Sequence, residues 1–553
     1  MHSKRSILNW PGLAVIILGS VISNPLAQLK YPNCPDVTKA DFTKVPLITR
    51  SAHLIDEPIE MALAKDGRIF WVERKGKVRV FDQVKKTAVT LMTLPVFTGQ
   101  EFGATGIALD PAFESNNWFY VYWAVSALNP DGSRNFRVSR FTLSGETASM
   151  ETQKIIIEIP FTNFGCCHTS GSMTFDKDGN LFVGVGNTTD NGIGDGNSKT
   201  NYVNEAQAHG DDQRGSANTN SLLGKILRIR PKPIADADAA PTPGVGSTYD
   251  IPEGNLFPPG MNKTRPEIYT MGHRNPYTIS VDPIRSWLTW GDIGPDEQIA
   301  TEEHNLVTQP GNMGWPYFAG NNLKFRGTVG IPAAQMNPDK PVNKSSRNTG
   351  LDTLPPAQPA IRPYIQSAAI TGPIYHYDGR LTAPYRLPPH FNKKWIITDF
   401  NNGTVRVTTP SEDGKSLTSD IEFWGQRFLS RPLDMELGPE GALYVLDYDG
   451  WFSAGTMTGI SRVEYKGTCE DKSLFPATTA LREAGRINGL GRGGLLVRPG
   501  AGSLVLPVGV KGVDLYDMSG ARVHSHERTE ASSETVLALP ESLRGSLLRA
   551  RFR

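Results

Sequence analysis

The chain has 553 residues, 39% hydrophobic and 20% charged, a globular balance that excludes general disorder. Lys+Arg minus Asp+Glu is 57 − 56 = +1, so no overall field recruits nucleic acid or an anionic membrane. With 55 Gly and 41 Pro, a turn-rich all-β chain is favoured over a helical one.

Met1-His2-Ser3-Lys4-Arg5 is basic, and residues 13–22 are an apolar run of signal-peptide length, too short to span a membrane. Residues 1–27 are expected to be a signal peptide, cleaved after Ser23 or Ala27. The expected location is secreted or periplasmic, with no later run long and apolar enough for a membrane span. In an oxidising compartment the four cysteines default to disulfides.

Alternating apolar runs then recur along the chain. They are 68–73 with 77–81, 118–123 with 137–142, 181–185 with 225–229, 287–290 alone, 395–399 with 405–407, and 442–446 with 460–465. Period-2 alternation with a short return is the hairpin signature. Several pairs follow a turn phrase such as Leu109-Asp110-Pro111 or Leu437-Gly438-Pro439-Glu440-Gly441. Six units of about 70 residues, without long amphipathic helices, predict a six-bladed β-propeller over residues 28–477. Insertions at 187–220 and 321–368 blur the period; a pair of β-sandwiches is the rival architecture.

Beyond Cys469 the composition shifts. Residues 478–553 carry 11 Lys/Arg against 7 Asp/Glu, or +4, leaving −3 for the rest. The Gly/Arg-rich stretch 478–502 is expected to be a linker. Short apolar runs in 503–553 predict a small β-sandwich-like module. Its phrase Leu515-Tyr516-Asp517-Met518-Ser519-Gly520 resembles the C-terminal sorting or attachment domains of exported bacterial proteins, which implies surface association.

There is no His-Glu-x-x-His helix, Gly-x-Ser-x-Gly elbow, phosphate loop or dinucleotide fingerprint. The loop Asp190–Asn197 has oxygen ligands for calcium without the full spacing. Two segments carry more: Gly165-Cys166-Cys167-His168-Thr169-Ser170-Gly171, and Gly272-His273-Arg274-Asn275-Pro276 followed by Trp290-Gly291-Asp292-Ile293-Gly294-Pro295-Asp296-Glu297. With Glu101-Phe102-Gly103-Ala104-Thr105-Gly106 and Arg431-Pro432-Leu433-Asp434, they resemble the soluble quinoprotein glucose/sorbosone dehydrogenases. These are six-bladed propellers that use pyrroloquinoline quinone (PQQ) and Ca²⁺.

The resemblance assigns roles residue by residue. His168 matches the general base toward a sugar hydroxyl, a task that suits imidazole near neutrality. Arg274 and Asn275 match residues on the quinone's oxygens, and Arg274 can stabilise charge as the quinone is reduced. Arg431 matches an arginine that reaches a cofactor carboxylate. Glu101 sits where the family has Gln or Glu beside cofactor and substrate. Gly291 and Asp292 match the loop whose main-chain oxygens hold calcium. The polar loop Asp211–Asn220 is expected at the same mouth, without assigned roles.

Three positions depart from the pattern. Asn187 stands where an Asp orients the base, which predicts weaker tautomer control. Asn401 replaces a cofactor-binding lysine, and Tyr277 replaces a Gln. The expected activity is oxidation of an aldose or related polyol by hydride transfer to the quinone, with electrons passing to an unidentified external acceptor. A catalytically silent carbohydrate- or protein-binding propeller is the alternative, and a propeller lactonase the third reading. Because the ends of a propeller meet, Cys34 is expected to pair with Cys469, leaving Cys166 with Cys167 immediately before His168.

Overall fold

The computed structural model describes residues 27–162, 167–189, 201–206, 210–295, 301–325, 327–365, 368–451, 453–474 and 476, then six short strands between 495 and 552. Residues 1–26 of the expected signal peptide, the loop 190–197 and Cys166 lie outside the described residues. Among the described residues no helix is long and apolar enough to cross a membrane.

Six antiparallel sheets of four principal strands make the propeller, as expected. Blade one runs Pro58–Leu63, Ile69–Glu73, Lys77–Asp82 and Thr87–Thr93 from the centre outward. Blade two is Ala104–Leu109, Trp118–Ala124, Arg134–Ser144 and Lys154–Phe161. Blade three is Ser170–Phe175, Leu181–Val185, Lys225–Pro231 and Ile268–Met271. Blade four is Pro276–Val281, Leu288–Asp292, Thr301–Val307 and Arg362–Ile365. Blade five is Ala369–Tyr375, Lys394–Asp399, Val405–Pro410 and Leu417–Trp424. Blade six takes Pro432–Leu437, Leu443–Asp447 and Gly459–Tyr465 from the C-terminal side. Its fourth strand, Phe42–Thr49, comes from the N-terminal side and pairs from Phe42↔Tyr465 to Thr49↔Gly459, with a bulge between Pro46 and Ile48.

The legible hairpins are the middle strands of the blades. Their side chains pack on both faces, because each blade is stacked between two others. The second strands bury a large aromatic at the blade interface: Trp71, Trp123, Trp290 and Trp395 are almost wholly inaccessible. Such rings are the largest single apolar contributions a blade can make.

The inner strands are held differently. Asp434 accepts from Met61 N–H at 2.8 Å, and Glu60 accepts from Ile107 at 2.6 Å and Met173 at 3.1 Å. Ser172 accepts from Ile279 N–H at 3.1 Å, and Thr278 from Thr371 N–H at 2.8 Å. Inner strands of different blades are too divergent to share a ladder, so polar side chains satisfy these buried amides.

Cys34 and Cys469 are disulfide-bonded, with Cα atoms 5.6 Å apart. The bridge ties the segments flanking blade six, which is the pairing expected from sequence. Near the C-terminus, Leu495–Val497, Leu548–Phe552, Gly512–Tyr516 and Arg522–Glu527 form one sheet, and Ser503–Leu506 pairs with Thr535–Ala538. The strand Leu495–Val497 falls within the stretch expected to be linker.

Candidate active site

The chain enters the inner strand of blade three through an unusual backbone. Cys167 (φ 84°), His168 (φ 57°) and Ser170 (φ 49°) all lie in the left-handed region, followed by Gly171 (φ 121°). Non-glycine residues rarely adopt it, and a cluster of them persists only when the surroundings impose it. Here the carboxylate of Glu101 accepts the His168 N–H at 2.7 Å, and Thr188 N–H donates to the His168 carbonyl at 3.3 Å. Gly186 packs against that same carbonyl; a Cβ there would lie 1.8 Å from it. Cys167 is disulfide-bonded, and its expected partner, Cys166, is outside the described residues. Glu101, expected beside cofactor and substrate, thus acts in this structure on the main chain of His168.

A polar relay runs inward from the imidazole. His168 Nδ1 lies 2.8 Å from Asn187 Oδ1, which also accepts from Thr189 N–H at 3.0 Å. The Asn187 amide donates from Nδ2 to Asp212 Oδ2 at 2.9 Å. Because Asp212 can only accept from it, the amide is fixed with Oδ1 toward the histidine. Nδ1 of His168 therefore carries the proton and Nε2 is the basic nitrogen. Asn187 itself takes the orienting position, and a carboxylate, Asp212, stands one residue further along the relay. Burial pushes Asp212 up to about 6, against hydrogen bonds from Thr189 and Trp315 and the charge of Arg274. The Trp315 indole also donates to Asp212 Oδ2.

The relay is bolted to the Gly-His-Arg-Asn-Pro segment, since Asn187 N–H donates to the Arg274 carbonyl at 3.0 Å. Arg274 is 3% exposed, and its Nη1 donates to the Ile293 carbonyl at 2.9 Å. Asn275 Oδ1 accepts from Ser170 Oγ at 2.8 Å, which joins blades three and four. Its N–H donates to Asp292 Oδ1 at 2.8 Å, while Asp292 Oδ2 takes His273 Nδ1 at 3.0 Å. His273 Nε2 meets Thr270 Oγ1 at 2.8 Å, and burial lowers its pKa, so it is a neutral anchor for the turn. Arg274, Asp292, Gly294, Glu303 and Trp315 line a cleft at this end of the propeller.

Of the residues expected at the site, Glu101, His168, Asn187, Arg274, Asn275 and Asp292 are thus joined by hydrogen bonds. Gly291 and Asp292 lie within a strand paired on both sides. Glycine is required at 291, where a Cβ would lie 2.2 Å from the Ala369 carbonyl. Gly294 is the residue of this segment beyond the strand that lines the cleft.

Arg431 and Asn401 belong to a separate group. Arg431 sits over the Trp451 ring at 5.0 Å and the Phe400 ring at 5.9 Å, with φ 53°. Asn401, beside Phe400, is exposed. Tyr277 lies against the blade-one core, its pKa raised chiefly by burial. The loop Asp211–Asn220 was expected at this mouth without assigned roles, so the part Asp212 plays in the relay was not foreseen, and Trp315 was not named.

The profile of the family described as Glucose / Sorbosone dehydrogenase matches residues 55–450, well over half of the chain. The chain belongs to this family. It is 24% identical to quinoprotein glucose dehydrogenase B of Acinetobacter calcoaceticus over 383 residues, 64% of this chain and 71% of that protein. It is 25% identical to the HIPL1 protein of Arabidopsis thaliana over 379 residues, 60% of this chain and about half (48%) of that protein. Among solved structures, the PQQ-bound aldose sugar dehydrogenase of Streptomyces coelicolor shares the fold. Its TM-score is 0.50 at 20% identity, covering 77% of this chain and 99% of that one.

Proposed function

We propose that this family member is a sugar dehydrogenase that uses PQQ, with His168 as general base. The carrying observation is the His168–Asn187–Asp212 relay, hydrogen-bonded to the main chain of Arg274. Support also comes from the Acinetobacter relative, a quinoprotein glucose dehydrogenase, and from the Streptomyces aldose sugar dehydrogenase structure, which is PQQ-bound.

The donor set fits an anionic quinone: a buried guanidinium and an amide on one side, with Arg431 on a separate turn. Arg274, Asn275 and Arg431 would hold the cofactor. Calcium would be met by main-chain oxygens of the segment that begins at Gly291 and Asp292, of which Asp292 and Gly294 line the cleft beside Arg274. When bound, PQQ supplies an electrophilic quinone that accepts two electrons as hydride. His168 Nε2 takes the hydroxyl proton of the sugar while the C–H electron pair departs, leaving a carbonyl product. Asn187 keeps the imidazole in the productive tautomer, and Asp212, when ionised, stabilises the imidazolium that forms. Arg274 places positive charge at one edge of the cleft.

The test is a titration of purified protein with PQQ, with and without Ca²⁺, following dye reduction across an aldose panel. Saturable, PQQ-dependent reduction is expected. No reduction with any aldose, together with no PQQ binding, would remove the reading.

A further inference from the structure

The two insertions that interrupt the blade period meet at the relay. The first carries both Asn187 and Asp212, between strands Leu181–Val185 and Lys225–Pro231 of blade three. The second precedes Arg362–Ile365, the outer strand of blade four. The chain leading into it crosses to blade three, where Gly311–Asn312 pairs in parallel with Thr270–Met271.

Where the insertions touch, the second bonds to the first through side chains and main chain. Asn343 is 0% exposed, and its Nδ2 donates to the carbonyls of Gln213 and Ala217, both at 3.0 Å. Its Oδ1 accepts from Ser345 N–H at 3.0 Å. Both carbonyls can only accept, so the orientation of this amide is fixed. Ser345 Oγ donates to Asp211 Oδ2 at 3.0 Å, and Leu351 N–H donates to Thr219 Oγ1 at 2.8 Å. A Cβ at Gly350 would lie 2.4 Å from that Thr219 oxygen, so the contact is close.

These bonds bracket one short turn. Asp212–Arg214 is a single helical turn capped by Asp211, whose Oδ1 accepts from Gln213 N–H at 3.1 Å. Asn343 thus holds the carbonyl of the residue after Asp212 and a second carbonyl four residues on. A buried carboxylate is drawn toward water, and it stays at a buried partner only where its main chain is held. Asp212 is such a group, wholly buried and 2.9 Å from Asn187 Nδ2. Loss of the Asn343 amide takes a donor from two carbonyls at once, and the turn relieves that cost by moving toward water. Asp212 then leaves Asn187.

We propose that Asn343 is a positioning residue for His168: from the second insertion it fixes the turn that presents Asp212 to Asn187. The assignment rests on the relay and needs no step of the dehydrogenase reading. The charged groups that face Asp212 are Arg274, from the segment entering blade four, and Asp211 on its own loop. Glu101 bonds the main chain of His168. Asn343 carries no charge, so its removal reaches the imidazole only through the geometry of the relay.

The test follows the His168 imidazole by nuclear magnetic resonance of the histidine-labelled full chain, without cofactor or sugar. The signal missing from His168→Ala assigns it. An anionic Asp212 at the end of the relay favours the imidazolium. Asn343→Ala is therefore expected to lower the proton affinity of His168 about two- to tenfold, toward its value in Asp212→Asn. In the Asp212→Asn background the same substitution is expected to add nothing. Asn322 donates to the Ala357 carbonyl at 2.8 Å within the second insertion. Asn322→Ala is expected to lower the melting temperature and leave the imidazole as in wild type. Asn343→Ser keeps one donor; a smaller shift is expected, and this variant decides the matter where Asn343→Ala does not fold. An unchanged imidazole titration in the folded Asn343 variant overturns the assignment. So does an equal shift with and without the Asp212 carboxylate, or the same shift in Asn322→Ala.

Discussion

At the seam of blade six, N- and C-terminal strands pair along their length, with one bulge between Pro46 and Ile48, and a disulfide closes over them. Lys44 adds an ion pair to Asp447 at 2.8 Å across the same sheet. The turn into blade three has almost none of that regularity: three non-glycine residues sit at positive φ, and a buried polar relay replaces the ladder. The seam joins segments more than 400 residues apart, so its bonds constrain the whole ring. The turn joins neighbours, so its bonds fix one imidazole. Regular pairing carries stability here, and local strain aims a side chain.

If that division holds, mutations on the two sides separate turnover from stability. The largest effect is expected at the turn. His168→Ala should lower turnover about 10²–10⁴-fold, the usual contribution of a positioned general base, and leave PQQ affinity and melting temperature close to wild type. Equal turnover in the variant would take His168 out of the mechanism.

The seam should respond in stability instead. Cys34→Ser, or reduction of the bridge, should cost about 2–4 kcal/mol, read as a lower melting temperature or denaturant midpoint. Turnover at a temperature where the fold persists should not change. A variant that melts normally but turns over slowly would invert the comparison.

The contrast also explains what the sequence made readable. Middle strands such as Ile69–Glu73 and Leu443–Asp447 pack apolar side chains on both faces and stand out as hydrophobic runs. Inner strands carry Glu60, Ser172, Thr278 and Asp434, which bond to amides of other blades and break the apolar pattern. The N-terminal strand that completes blade six is separated from its partner by nearly the whole propeller, and no local signal marks such a pairing. At the site, His168, Arg274 and Asn275 were legible from motifs because they lie in short contiguous words. Asp212 was not, because its role exists only once a distant loop folds against Asn187.

Asp212 sharpens the comparison further. Asp212→Asn keeps an acceptor for the Asn187 amide and removes only the charge that stabilises the imidazolium. Burial places the wild-type carboxyl at about 6, so it is charged above that pH and neutral below it. Above pH 7 the variant should turn over about 10- to 100-fold more slowly, as for other residues that orient a reacting group. Below pH 6 the two proteins should converge. A constant ratio from pH 5 to 8 in kcat/KM would show that Asp212 acts through packing alone.

The smallest effect is expected where the inner strands meet, and it tests whether polar bonds near the axis stabilise as the seam does. Asp434 accepts the Met61 N–H, and its carboxyl is pushed up to about 7 by burial. Glu60 and Glu436 are raised by their own burial and by the charge of Asp434. A carboxyl whose folded pKa is raised binds its proton more tightly folded than unfolded. Its contribution is therefore fully present below the ordinary carboxylate value of about 4 and is lost as pH rises toward about 7. Asp434→Asn keeps the acceptor for Met61 and cannot ionise, so it should match wild type near pH 4. At pH 8 it should be more stable by about 1 kcal/mol or more, since each tenfold change in proton affinity corresponds to about 1.4 kcal/mol. Melting curves at the two pH values decide it. If the variant is less stable than wild type at pH 8, the carboxylate is a net stabiliser, and the polar bonds between inner strands belong with the seam.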